Sequence, residues 1–236
     1  MDVPPVEILY ENGPCLAVLK PSGILTQAPP GIESLEQRLT AFLKARDGKT
    51  GNIYIGVPHR LDRPVSGVML FARHVRACRR LSEQFSGRLV KKIYWACVEG
   101  EVQPRAGTWE DTIRKVPGEA RAEIVAADHP DGRAAVLHYR TIGKWRGGAW
   151  LEIELETGRM HQIRVQAAAR GHAVLGDEMY GSSQPFGPQF DDRRLRAIAL
   201  HGRSLSFSHP MTREELSVIA PLPEAWDEIG RMKDKG

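Results

Sequence analysis

Only three cysteines occur in the 236 residues, Cys15, Cys78 and Cys97, each alone in an apolar setting ("PCLAVL", "RACRRL", "YWACVE"). No two stand at zinc-ligand spacing, and no HExxH occurs among the eight histidines, so no structural or catalytic metal is expected. An odd set of isolated cysteines reads as buried free thiols in a reducing compartment, not as a disulfide framework. No run of about 18 apolar residues is present, which excludes a membrane-spanning helix. The opening "MDVPPVEILY" carries Asp2 and Glu7 but no basic, apolar leader. A secretory signal is therefore not expected, and the expected compartment is the cytoplasm. Repeats, low-complexity tracts and a clear linker are also missing, which points to one domain over 1–236.

What is present suits an ordinary globular protein with a sizeable core: 42% hydrophobic and 26% charged residues. A net charge of +4 and a pI near 9.0 admit nucleic acid as a partner without demanding it. Residues 6–11 and 15–20 read as strands around Asn12-Gly13-Pro14. Ser34 and Gln37 have capping-box spacing, and Leu35, Leu39, Phe42 and Leu43 form an apolar stripe, so a helix follows Ser34. A strand is predicted at 68–72 and a helix at 74–86, with Val75, Cys78, Leu81 and Phe85 inward and Gly87 as terminator. Residues 93–98, 134–142 and 149–156 have strand character. The segment 101–133, rich in Gly, Pro and charge, reads as short irregular strands. A third helix is expected from Met160 to Arg170, late strands after 194, and a short terminal helix in "PLPEAWDEIGRM". Strands so close in sequence, without βαβα alternation, predict an α+β fold: a mixed, mainly antiparallel sheet flanked by helices and loops.

Three stretches carry chemistry. In "GVPHRLDRPVSGVML" (56–70), Asp62 lies between Arg60 and Arg63. An Asp in a tight loop is ordinarily a turn residue, but flanking guanidiniums favour its ionised form if they are close. An ionised carboxylate in a cleft can serve as a nucleophile or support a cationic sugar transition state. In "LETGRMHQIRVQAAARGHAVLGDEMYG" (155–181), Arg159, His161, Gln162 and Arg164 fall at a predicted helix start, where backbone N–H groups attract anions. Arg164 can reach back across the sheet toward a carboxylate. In "KKIYWACVEG" (91–100), Tyr94 and Trp95 alternate faces, and core packing is the default for either. From Arg73 to Lys92 seven Lys or Arg face the single acid Glu83. Arg76, Arg79 and Arg80 lie off the apolar stripe, either as a plain solvated face or as a phosphate-contacting one.

Together "HRLDRPVSG", "KKIYWACVEG" and "LETGRMHQIRVQ…GHAVLGDEMYG" resemble the signature segments of the RluA-type RNA pseudouridine synthases. "LKPSG" near the start and "LHGRSLSFSHP" near the end fit the same order, over about residues 8 to 222. The resemblance implies the pseudouridine synthase catalytic fold and isomerisation of a uridine in a ribosomal or transfer RNA stem-loop. It implies Asp62 as the catalytic carboxylate, Tyr94 against the target base, Arg164 as partner of that carboxylate, and Arg60 entering the RNA in place of the flipped base. Leu200 would be an apolar wall, with His161, Gln162, Arg76, Arg79 and Arg80 as further substrate contacts. No cofactor, obligate protein partner or separate N-terminal RNA-binding domain is implied, and a monomer is the default. RNA contacts would then come from helix 74–86 and loops 105–121 and 181–196. The chain departs from the family pattern at Pro64 and Val65, where an acid and a Thr are usual, at Gln166 (often His) and at Gly202 (Ala). Two other readings stay open: a base glycosidase that releases free uracil, and a silent RNA-binding protein on the same scaffold.

Overall fold

The computed structural model describes residues 5–145, 147–227 and 229. In chain order the elements are β1 (Ile8–Asn12), β2 (Cys15–Lys20), α1 (Leu35–Arg46), β3 (Ser66–Ala72), α2 (Val75–Ser86), β4 (Lys91–Glu99) and β5 (Ala106–Lys115). They continue with β6 (Ala122–Val125), β7 (Arg133–Trp145), β8 (Gly148–Leu155), α3 (Gln162–Ala169), β9 (Leu200–Ser208) and β10 (Glu215–Ile219). The described ladders are antiparallel, and parallel pairing occurs in isolated bridges such as Leu25–Ser34. This is the α+β architecture, with an open, mainly antiparallel sheet, that the sequence predicts. Among the described residues no helix is long and apolar enough to cross a membrane. The chain divides into two compact units, 5–91 with 202–221, and 92–201 with 222–229.

In the first unit the order is β1-β2-β3-β9, with β10 also on β9. β3 is buried along its whole length, which is why it reads as a continuous apolar run instead of an alternating one. Its Val68, Leu70 and Ala72 join Cys15 and Ala17 of β2, Leu205 and Phe207 of β9, and Ala77 and Leu81 of α2 in one core. Ser34 caps α1 as expected, its hydroxyl accepting from the Gln37 N–H. The Gln37 amide turns instead to the Ala28 carbonyl, so only half of the capping box forms. Helix α2 starts one residue later than predicted, with the His74 ring as its N-cap. Val75, at the first helical position, is 64% exposed instead of inward, and Ala77, which the expected stripe did not include, joins Leu81 in the core.

In the second unit the order is β4-β8-β7-β5-β6. The stretch foreseen as short irregular strands contains the ten-residue β5, which pairs with β7 from Ala106 to Ile113. The glycines and prolines that suggested irregularity lie largely outside it, at Pro104 and in the 116–121 turn. Helix α3 lies on one sheet face, where Val165 and Tyr180 join Ile113 and Ala135. It begins at Gln162 instead of Met160, because His161 adopts a left-handed conformation (φ 53°) at the N-cap. Near the C-terminal end, Trp226 packs within 5.7 Å of Trp150 and 5.6 Å of Phe186, ring centre to ring centre. It belongs to a single 3-10 turn, Glu224–Trp226, in place of the first part of the expected terminal helix; the remainder of that prediction falls largely outside the described residues.

Gly67 is a point of close main-chain approach in the first unit. Its φ is +139°, and a Cβ there would lie 2.5 Å from the backbone of Gly202. Gly67→Ala is therefore expected to lower the unfolding free energy by about 2–4 kcal/mol, from backbone strain and steric overlap together. Denaturant titration measures this, and a change below about 0.5 kcal/mol would mean the two main chains separate easily.

Candidate active site

Asp62 sits in a segment with no helix or strand of its own, so side chains from elsewhere must fix it. The Asp62 carbonyl accepts from the Val65 N–H at 3.1 Å, closing a turn over Arg63 and Pro64. Pro64 lacks an N–H, but this bond does not use one there. Thr26 grips the preceding residue from both sides: its hydroxyl donates to the Leu61 carbonyl at 3.0 Å and accepts from the Leu61 N–H at 3.2 Å. The Gly23 N–H donates to the Arg63 carbonyl at 2.8 Å. His59 Nε2 accepts from the Leu70 N–H at 2.9 Å, and the imidazole stacks on Phe85 with centroids 4.2 Å apart. Asp62 itself is half-buried, and Arg60 is exposed.

Beneath the turn lies Lys20, fully buried. Its Nζ donates to the carbonyls of Pro21 (3.0 Å), Arg63 (3.2 Å) and Val65 (2.8 Å). Three donors meet three acceptors, which satisfies an ammonium without water. Burial pushes the Lys20 pKa down to about 7, with the Asp62 carboxylate opposing the shift and the Arg63 guanidinium adding to it. Sequence reasoning missed Lys20, Thr26 and His59 as loop anchors. "LKPSG" marked the place, but a lysine ending an apolar strand reads as a side chain reaching solvent.

The other predicted residues of this unit lie on α2. Arg76 is exposed. Arg79 is largely exposed and lies 3.6 Å from Glu83, a surface pair that contributes little to stability. Arg80 instead donates to the Pro210 carbonyl at 2.7 Å, tying the helix to the turn after β9. That bond gives Arg80 a structural task the sequence did not show.

The second unit holds Tyr94, His161, Gln162, Arg164 and Leu200. Tyr94, half-buried on β4, stands opposite Ile153. Its neighbour Trp95 donates its indole N–H to Glu152 at 3.2 Å and meets Trp150 edge-on. Leu200 is buried at the start of β9. Gln162 is buried, and its amide is spent on its own loop. Its Oε1 accepts from the Thr157 hydroxyl (2.8 Å) and the Arg159 N–H (3.0 Å), and its Nε2 donates to the Val136 carbonyl (3.1 Å). Arg159 donates through Nε to the Ala134 carbonyl. The helix start that looked ready for an anion is thus largely occupied by the chain's own groups, and Gln162 shapes the loop. His161 Nδ1 shares a 2.9 Å hydrogen bond with the Tyr180 hydroxyl. The carboxylate that Arg164 meets within its own unit is Asp177, at 2.6 Å through Nε and 2.8 Å through Nη2. Gln166, where the family pattern often has His, is also buried and donates to Asp111 at 2.6 Å and to the Trp109 carbonyl. Among the described residues no group of three or more His, Cys, Asp or Glu side chains could hold a metal ion.

The family model described as RNA pseudouridylate synthase matches residues 15–169. A ribosomal large subunit pseudouridine synthase D of Xanthomonas campestris is 37% identical over 227 residues, covering 93% of this chain and 67% of its own length. An uncharacterized RNA pseudouridine synthase of Zymomonas mobilis is 32% identical over 225 residues, covering 94% of this chain and 96% of its own. Among solved structures, human RNA pseudouridylate synthase domain containing 4 has a TM-score of 0.77 at 22% identity, over 95% of this chain and 93% of that one, a likeness of fold.

Lys20 makes stability depend on pH with a definite sign. Its folded pKa of about 7 lies below the ordinary 10.5. Between those values the unfolded chain holds a proton that the folded chain has released, so stability rises with pH across that window. In Lys20→Met this contribution is absent. Urea unfolding from pH 7 to 10 should show the wild type gaining on the variant by up to about 4 kcal/mol. Parallel pH curves for the two proteins would contradict the burial of Lys20 as a titrating group.

Proposed function

The chain belongs to the RNA pseudouridylate synthase family and isomerises uridine in RNA to pseudouridine; on that premise we propose that Asp62 is the reacting carboxylate. The observation that supports this most directly is the fixed backbone around it. Lys20, Thr26 and Gly23 hold Leu61, Arg63 and Val65 by hydrogen bonds. A group that must meet a sugar carbon within a few tenths of an ångström gains from such preorganisation.

In this reading Asp62 assists cleavage of the bond between C1′ of the ribose and N1 of uracil. The freed base turns, and C5 bonds to C1′. The proton lost from C5 is balanced by one gained at N1, so no oxidant, reductant or cofactor enters. Tyr94 lies against the base and takes part in removing the C5 proton, with Leu200 as an apolar wall. Arg164 is the guanidinium that keeps the reacting carboxylate charged, since a closed pocket otherwise disfavours charge. Arg60, exposed at the loop, enters the RNA where the flipped base was; extrusion costs a few kcal/mol, which stacking and hydrogen bonds of a planar guanidinium partly offset. His161 borders the site, while Gln162 holds the loop behind it. Arg76 and Arg79 on α2 take backbone phosphates of a stem-loop. The name of the Xanthomonas relative favours ribosomal over transfer RNA as the substrate, and a monomer acting in the cytoplasm completes the proposal.

Purified protein and its Asp62→Asn variant, incubated with unmodified ribosomal and transfer RNA, test this through carbodiimide adducts that stop reverse transcription at pseudouridine. New stops with the wild type alone are expected, with fold and RNA affinity of the variant nearly intact. Pseudouridine formed by the variant would remove Asp62 from the role. Binding without stops would favour a silent RNA-binding protein, and release of free uracil a glycosidase. Arg76→Ala and Arg79→Ala should each lower the slope of log affinity against log salt by about 0.7 to 1. Unchanged slopes would take α2 off the RNA-contacting surface.

A further inference from the structure

The reaction as described makes no use of Asp177, the first of the two acids of "GDEMYG". Yet its carboxylate and the Arg164 guanidinium are among the most enclosed charges of the second unit, 2% and 4% exposed. We propose that Asp177 is the positioning residue that sets the direction of the Arg164 guanidinium for the isomerisation, with the Tyr180 ring as its backstop. The proposal rests on the role given to Arg164 above.

The geometry is that of a clamp. Asp177 Oδ2 takes Nε and Oδ1 takes Nη2, so two parallel hydrogen bonds fix both the plane of the guanidinium and its rotation within that plane. The Tyr180 ring lies 5.0 Å from the guanidinium carbon, and the Met179 sulfur 3.7 Å from Nη2. The clamp is itself anchored. Leu175 donates its N–H to the Cys97 carbonyl of β4 at 2.9 Å, and Asp177 donates its N–H to the Val174 carbonyl at 3.0 Å. The Tyr180 hydroxyl accepts from the Ala122 N–H at 2.9 Å and also lies 3.1 Å from the Ala122 carbonyl. A buried ion pair adds little net stability over an apolar pair of similar volume. What this one supplies is direction, held from the sheet through a short, well-tethered segment.

Asp177→Glu tests the idea because it keeps the buried charge and moves the carboxylate by one methylene. We expect kcat for pseudouridine formation to fall about 10- to 100-fold, with KM for RNA within about twofold and the melting temperature near that of the wild type. In an Arg164→Lys background the same change should cost less than about threefold, because a group acting only through another loses its effect when that partner no longer offers two parallel donors. Rates are referred to folded protein by near-ultraviolet circular dichroism, and Asp177→Asn is the second variant, with at least as large a loss in kcat. Wild-type kcat in Asp177→Glu, or an equal loss in both backgrounds, overturns the positioning role while leaving the assigned reaction standing. A wild-type protein that forms no pseudouridine on any RNA overturns both.

Discussion

A lysine amine without access to water, held by three main-chain carbonyls, is the constraint on which the first unit depends. β2 runs apolar from Cys15 to Leu19 and then delivers Lys20 into the interior. Desolvating that group is costly, and the cost is limited only because Pro21, Arg63 and Val65 offer oxygens at bonding distance. The dependence is mutual. The segment from His59 to Val65 has no ladder or helix to order it, and Lys20 supplies a donor to its Arg63 and Val65 carbonyls. Lys20 thus joins Thr26 and Gly23 in fixing the loop and the acid that the loop presents.

The second unit reaches the same end with a different device. Its loop between β8 and α3 is folded around the Gln162 amide, and its arginine is aimed by a carboxylate. In both units polar side chains that look available in the sequence are largely spent on holding backbone. Arg80 on the Pro210 carbonyl and Arg159 on the Ala134 carbonyl are further instances. Arg60, Arg76 and Arg79 remain at the surface, where a polyanion can reach them.

Local rules recovered much of this from the sequence. The Ser34 cap, the Gly87 stop and most strands follow from spacing and turn chemistry. The motifs named Asp62, Tyr94 and Arg164 as the residues that carry the proposed chemistry, and the family to which they pointed is the one the chain belongs to. What escaped is what long-range packing decides. Val75 looked like core by period, but α2 buries the face that carries Ala77 and Leu81 and leaves Val75 exposed. β5 was hidden because composition was averaged over 101–133, when the glycines and prolines are mostly at its ends. Lys20 and Asp177 lie in quoted motifs but gave no signal of their burial, because the burial of a charge depends on partners 43 and 13 residues away, respectively.

Each unit is assembled from two separate stretches of chain: the first from 5–91 and 202–221, the second from 92–201 and 222–229. The core of the first includes Leu205, Phe207, Val218 and Ala220. As the chain leaves the ribosome, the first ninety or so residues therefore emerge long before the strands that complete their core. The five strands of the second unit are finished while the first unit still waits for β9 and β10. The edge of β3 that pairs with β9 therefore stays open while more than a hundred residues are made, a span in which such an edge is exposed to misassembly. A chaperone that shields nascent chains would find a long-lived target in this protein at the open edge of β3.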